Sequence, residues 1–155
     1  MTIGVPGRPA FAVVAACIGL AGPATQAHAG LFSATREVIA MLAGELFVGE
    51  AEGHLDGSGT LAIHSQQNPG LSCRGQFASS AERGGLGTFV CSDGATATFR
   101  FRRVGLFRGF GAGSFSRGGL SFAYGFTSDE AAAYLKLPEG KKLSLSGFEL
   151  TLVDL

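Results

Sequence analysis

Three times the chain repeats the pattern Gly-x-Gly-x-apolar: Gly57-Ser58-Gly59-Thr60-Leu61, Gly85-Leu86-Gly87-Thr88-Phe89 and Gly111-Ala112-Gly113-Ser114-Phe115. The copies are 28 and 26 residues apart, the period of a repeated β-hairpin. Each copy is followed by a return segment with apolar residues at every second position. The returns carry Leu71, Cys73 and Phe77, then Ala95, Ala97, Phe99 and Phe101, then Leu120, Phe122, Tyr124 and Phe126. Arg74 and Gln76, and Thr96, Thr98, Arg100 and Arg102, lie between them. Alternation of this kind describes strands with one buried face, and it restricts the chain to an antiparallel β architecture.

The strand register follows from turn chemistry. Ser92-Asp93-Gly94 suits a three-residue hairpin loop whose last residue is left-handed, a conformation that glycine adopts without strain. Cys91 then faces Ala95, Phe89 faces Ala97, Gly87 faces Phe99 and Gly85 faces Phe101. Setting Cys73 opposite Cys91 pairs Gly75 with Phe89 and Phe77 with Gly87. A loop centred on Leu106 sets Phe101 beside Gly111 and Phe99 beside Gly113. Closing the next hairpin around Arg117-Gly118 sets Gly113 beside Phe122 and Gly111 beside Tyr124. One row across the sheet then reads Phe77, Gly87, Phe99, Gly113, Phe122. A large ring needs space over its neighbour, and a strand glycine provides it while being shielded by the ring.

Two further strands flank this meander, Gly44 to Glu50 before it and Leu143 to Val153 after it, the latter shifting its apolar phase at Gly147 as a β-bulge would. Ser128 to Leu135 reads as a short helix with Ser128 as N-cap and acids in its first turn, and Ser33 to Leu42 as a second. The expected fold is all-β: an antiparallel meander of seven or eight strands curled into a small barrel or half-barrel, with one or two short helices over an open end or edge. An extended single-layer sheet is the alternative. The rings over glycines are expected to fill the interior and leave no roomy cavity.

Residues 1–29 have the form of a secretory signal. Arg8 precedes an apolar stretch from Ala10 to Leu20, and Ala27-His28-Ala29 offers a cleavage site before Gly30. The apolar stretch is too short to span a bilayer, which takes about 20 residues. Residues 30–155 are one β domain. Val14-Ala15-Ala16-Cys17 resembles a lipobox, so a lipoprotein anchored through Cys17 is the alternative to a periplasmic or secreted protein. Cys73 and Cys91 remain as an even pair, read as a disulfide in an oxidising compartment.

The hairpin repeat resembles the membrane occupation and recognition nexus (MORN) unit. Cys73-Arg74-Gly75-Gln76-Phe77 matches its return strand, and Gly85 to Phe89 followed by Asp93-Gly94 matches its leading strand and turn. The layout through Leu135-Lys136-Leu137-Pro138 is similar to small exported proteobacterial proteins of unassigned function. The first resemblance implies scaffolding or membrane-surface contact, and the second an envelope location.

No nucleophile and base pair stands out. Glu52, His54 and Asp56 would share one strand face as a proton-transfer or metal site, but Gly53 and Gly57 bracket them as a solvated turn. No metal and no cofactor is therefore expected. Gly84 to Gly87 and Gly109 to Gly113 lead into strands rather than helices, which excludes phosphate cradles. Without Arg8, eleven basic residues face twelve acidic ones, which removes global support for nucleic-acid binding.

The charges are nonetheless segregated. Five acids and no base lie from Glu37 to Asp56, and five arginines and no acid from Gly94 to Ser128. Arg100, Arg102, Arg103 and Arg108 are therefore the candidate contacts for an anionic surface: anionic lipid, polysaccharide or an acidic protein of the envelope. Two function classes follow. One is a non-catalytic exported envelope protein that binds or scaffolds through its surface, and the alternative is a small β-barrel that binds an apolar ligand or lipid.

Overall fold

A computed structural model describes residues 33–80 and 84–155. The leader, Cys17 and the cleavage site lie outside the described residues. Eight strands form a closed antiparallel barrel in chain order: β1 (Ser33–Leu42), β2 (Glu45–His54), β3 (Ser58–Ser65), β4 (Ser72–Ser79), β5 (Gly84–Cys91), β6 (Thr96–Arg103), β7 (Gly109–Phe115) and β8 (Gly118–Tyr124), with β8 returning to pair with β1.

The register expected from β4 through the first residues of β7 is the observed one. Cys73 lies opposite Cys91 and is joined to it by a disulfide. Phe77 faces Gly87, Gly87 faces Phe99, and Phe99 faces Gly113. Gly94 takes φ +86°, as the turn requires. The last hairpin differs. Phe115 pairs with Gly118 across a tighter turn, so Gly113 faces Leu120, Gly111 faces Phe122 and Gly109 faces Tyr124. The shift is two residues, which changes neighbours but keeps every side chain on its expected face.

The rings lean consistently. Phe77 covers Gly59, Phe101 covers Gly85, Phe99 covers Gly87, Phe122 covers Gly111 and Tyr124 covers Gly109, so rings of β4, β6 and β8 roof inward glycines of the strand before them, Gly113 excepted.

Ser33 to Leu42 is strand β1 and not a helix. Its last five residues are buried on both faces: Val38, Ala40 and Leu42 point into the barrel, while Ile39 and Met41 lie under an outer layer. That double burial removes the alternation by which a strand announces itself.

The outer layer is the C-terminal segment, which lies on the barrel wall and not across an open end. Helix α1 (Ser128–Ala131) continues into a 3-10 turn (Ala132–Tyr134), followed by the hairpin β9 (Lys141–Ser146) and β10 (Glu149–Asp154), a separate two-stranded sheet. Thr127, not Ser128, is the N-cap. Its hydroxyl accepts from the Glu130 amide, and the Glu130 carboxylate accepts from the Thr127 amide at 3.1 Å, a capping box. Gly147 makes no bulge. It is the first residue of the two-residue β9–β10 turn, with φ +64°, the place where a II′ hairpin asks for glycine. Leu135 and Leu150 pack on Ile39, Met41, Leu46 and Ala123, and the Lys136 amide donates to the buried Ser121 hydroxyl at 2.9 Å.

Candidate functional site

The barrel has two different ends. At one end, Leu42, Phe47, Leu71, Phe115 and Leu120 are buried around the disulfide and fill the interior. The Ser65 hydroxyl, also buried, donates to Glu45 and accepts from the amides of Gln67 and Asn68, closing the β3–β4 loop over that end. The opposite end is rimmed by the β2–β3 turn and the β6–β7 loop. A cavity of about 440 Å³ opens there.

This cavity contradicts the expectation that the aromatic row would fill the interior. The rings do form a wall: Phe89, Phe99, Phe101, Phe122 and Tyr124 project inward from β5, β6 and β8, with Phe77 from β4. Phe99 and Phe122 meet edge-on at 5.2 Å, and Phe77 and Phe101 at 5.6 Å. Facing them, β1 and β2 present Ala34, Ala40, Ala51 and Gly53. Rings on one side and methyl groups or hydrogens on the other leave the volume between them unfilled.

The depth of the cavity is apolar, with Leu61, Ile63 and Leu120 completing it. The rim is mixed. Leu55 and Leu106 are 79% and 82% exposed and flank the opening, beside Phe107. Arg36 and Arg103 also line it. Arg36 shares the inward phase of Val38 on β1, and Arg103 that of Phe99 and Phe101 on β6. Tyr124 packs edge-on against Phe101 at 6.1 Å. Burial pushes its phenol pKa up, opposed by the nearby Arg103 charge, so at neutral pH Tyr124 keeps its proton and is a hydrogen-bond donor.

The four candidate arginines do not form one patch. Arg100 and Arg102 are exposed on the outer face of β6. Arg103 turns inward and donates to the Ser80 carbonyl at 3.1 Å. Arg108 pairs with Glu130 at 3.5 Å and lies over the Phe126 ring. Glu52 and His54 sit on the outward phase of β2, and only His54 reaches the cavity rim. Asp56 belongs to the turn: its carboxylate accepts from the Ser58 hydroxyl and amide, and both bonds hold its pKa below the usual carboxylate value. Among the described residues no group of His, Cys, Asp and Glu could hold a metal ion. Both glycine-rich segments lie within β5 and β7.

Arg36 went unnoticed in the sequence because it falls in a segment with helical character. Its signal is its spacing of two from Val38 and four from Ala40, which becomes meaningful once the segment is recognised as a strand.

The outer positions of the barrel carry exposed Glu50, Thr60, Arg74, Gln76, Thr98 and Arg100. Polar outside and apolar inside is the reverse of a membrane-spanning barrel. No helix among the described residues is long and apolar enough to cross a membrane. No family model, curated protein or solved structure matches the chain.

Proposed function

We propose that this protein is a non-catalytic carrier that holds a small apolar ligand inside its barrel. The observation that carries the reading is the 440 Å³ cavity, filled in at one end and open at the other. Its volume is within the roughly 300–1,000 Å³ of small-molecule sites, and an eight-stranded barrel is the size that holds one small ligand. The apolar lip formed by Leu55 and Leu106 would guide such a ligand inward. This reading is favoured over surface scaffolding because the candidate arginines are divided between the outer wall, the rim and an ion pair.

The disulfide supports an oxidising compartment, and with the leader it supports export to the periplasm or beyond. Intact mass would then begin at Gly30, whereas a diacylglycerol adduct on Cys17 would establish a lipoprotein.

The test of the carrier reading is to fill the cavity. Ala51→Phe places a ring on the small-residue wall opposite the aromatic one. The wild type should bind a neutral apolar dye such as N-phenyl-1-naphthylamine, and the variant should lose at least tenfold in affinity while keeping its circular dichroism. Absence of dye binding by the wild type, or undiminished binding by the folded variant, refutes the reading.

A further inference from the structure

We infer that the ligand is a single-chain anionic amphiphile, its tail in the aromatic depth and its charged head at the mouth between Arg36 and Arg103. This rests on the carrier reading above. The strand register places the two arginines. Arg103 lies opposite Gly109, Gly109 opposite Tyr124, and Tyr124 opposite Val38. One inward row therefore runs from Arg103 to Val38, and Arg36 is the next inward position beyond Val38 toward the mouth.

Both guanidiniums stand beside an apolar wall, and no carboxylate among the described residues pairs with either. The ion pairs among the described residues are Arg108 with Glu130, Arg117 with Asp93 and Lys141 with Asp154, and none involves Arg36 or Arg103. No Asp or Glu among the described residues lines the cavity. Arg36 lies 4.2 Å from the centre of the Phe107 ring and, among the described residues, donates to the Thr35 carbonyl. Arg103, among the described residues, donates to the Ser80 carbonyl. A guanidinium has five N–H donors, so both retain donors for an incoming anion. Tyr124 adds a phenolic donor between them.

Charges of one sign at the mouth of a low-dielectric cleft focus their field on the opening. A charged hydrogen bond contributes enough to change affinity by about ten- to a hundredfold. The site thus has the polarity of its ligand, apolar in depth and cationic at the rim. A cavity of about 440 Å³ suits one acyl chain rather than two.

The experiment compares dodecanoate, dodecyl phosphate and dodecanol on the purified protein by isothermal titration calorimetry, with R36Q/R103Q alongside. The anions should bind about ten- to a hundredfold more tightly than the alcohol. In the double variant that advantage should vanish while dodecanol binding persists, which also reports an intact cavity. A higher affinity for the carboxylate or for the phosphate would identify the head group. Equal binding of all three ligands by the wild type overturns the inference and leaves the carrier reading standing. An anion preference that survives in the double variant overturns the assignment to these arginines. If none of the three binds, the carrier reading falls and the inference falls with it.

Discussion

At the end where β5 turns into β6 and β7 into β8, large side chains are buried around the disulfide, and the buried Ser65 hydroxyl donates one hydrogen bond and accepts two. At the end where β2 turns into β3 and β6 into β7, apolar side chains stand in solvent and two inward charges go unanswered by carboxylates among the described residues. The same alternation of inward and outward residues runs through both. What differs is the volume contributed by the strands facing the rings. Leu42 and Phe47 fill the closed end, whereas Ala34, Ala51 and Gly53 leave the other open. One pattern thus yields a core at one end and a binding cavity at the other. Stability is expected to be concentrated where the barrel is filled.

The largest test of that division removes a ring from each end. Phe115 is 7% exposed and packs beside Phe89 at 6.2 Å, whereas Phe107 is 45% exposed on the rim. Phe115→Ala should cost about 3–5 kcal/mol by denaturant unfolding. Phe107→Ala should cost less than about 1 kcal/mol, chiefly its stacking with Arg36. Equal losses would mean that the two ends share the load.

A smaller effect is expected between the ends. A Cβ at Gly87 would run into the Phe99 ring and the Gln76 carbonyl. Gly87→Val should therefore lower stability by roughly 1–3 kcal/mol as overpacking. An unchanged melting temperature would show that the rings can move aside and that the aromatic wall is softer than its register implies.

The smallest effect belongs to the closed end's outer turns. Asp93 accepts from the Ala95 amide and pairs with Arg117, and both interactions hold its pKa below the usual value. Its contribution is present above the unfolded-state pKa and is lost as pH falls through the lower folded value. Asp93→Asn should flatten the acid limb of the stability curve slightly, and the change should shrink in salt because the pair is exposed. A variant with an acid limb identical to that of the wild type would remove Asp93 from the account.

The strands from β4 into β7 could be read in advance because three local markers fix them: the cysteine pair, the left-handed Gly94 and the loop centred on Leu106. Where markers compete, the reading slips. Gly118 and Gly119 lie side by side at the next turn, so the local glycine signal fits two registers, and the observed one pairs Phe115 with Gly118. β1 was hidden for a different reason. Its inner face belongs to the core and its outer face to the C-terminal layer, so Val38 to Leu42 form an unbroken apolar run without period. The cavity was hidden by the same omission. The rings are visible in sequence, but whether they meet a filler or a gap depends on Ala34 and Ala51, which face them only after β1 has closed on β8.

That closure also sets an order of assembly. Seven of the barrel's ladders join neighbours in the chain, each able to form as a hairpin within microseconds. The eighth joins Val38 to Tyr124, and its loop-closure entropy delays it. Until it forms, β1 and β8 are open sheet edges, the kind that recruit other chains. The disulfide does not help, because it links β4 to β5 on the far side of the barrel from this seam. What crosses the seam is the C-terminal segment, whose Leu135 and Leu150 rest on Ile39 and Met41 of one strand and Ala123 of the other. Residues 128–154 are thus a clasp: a segment made after both strands of the seam lies over the last ladder to close.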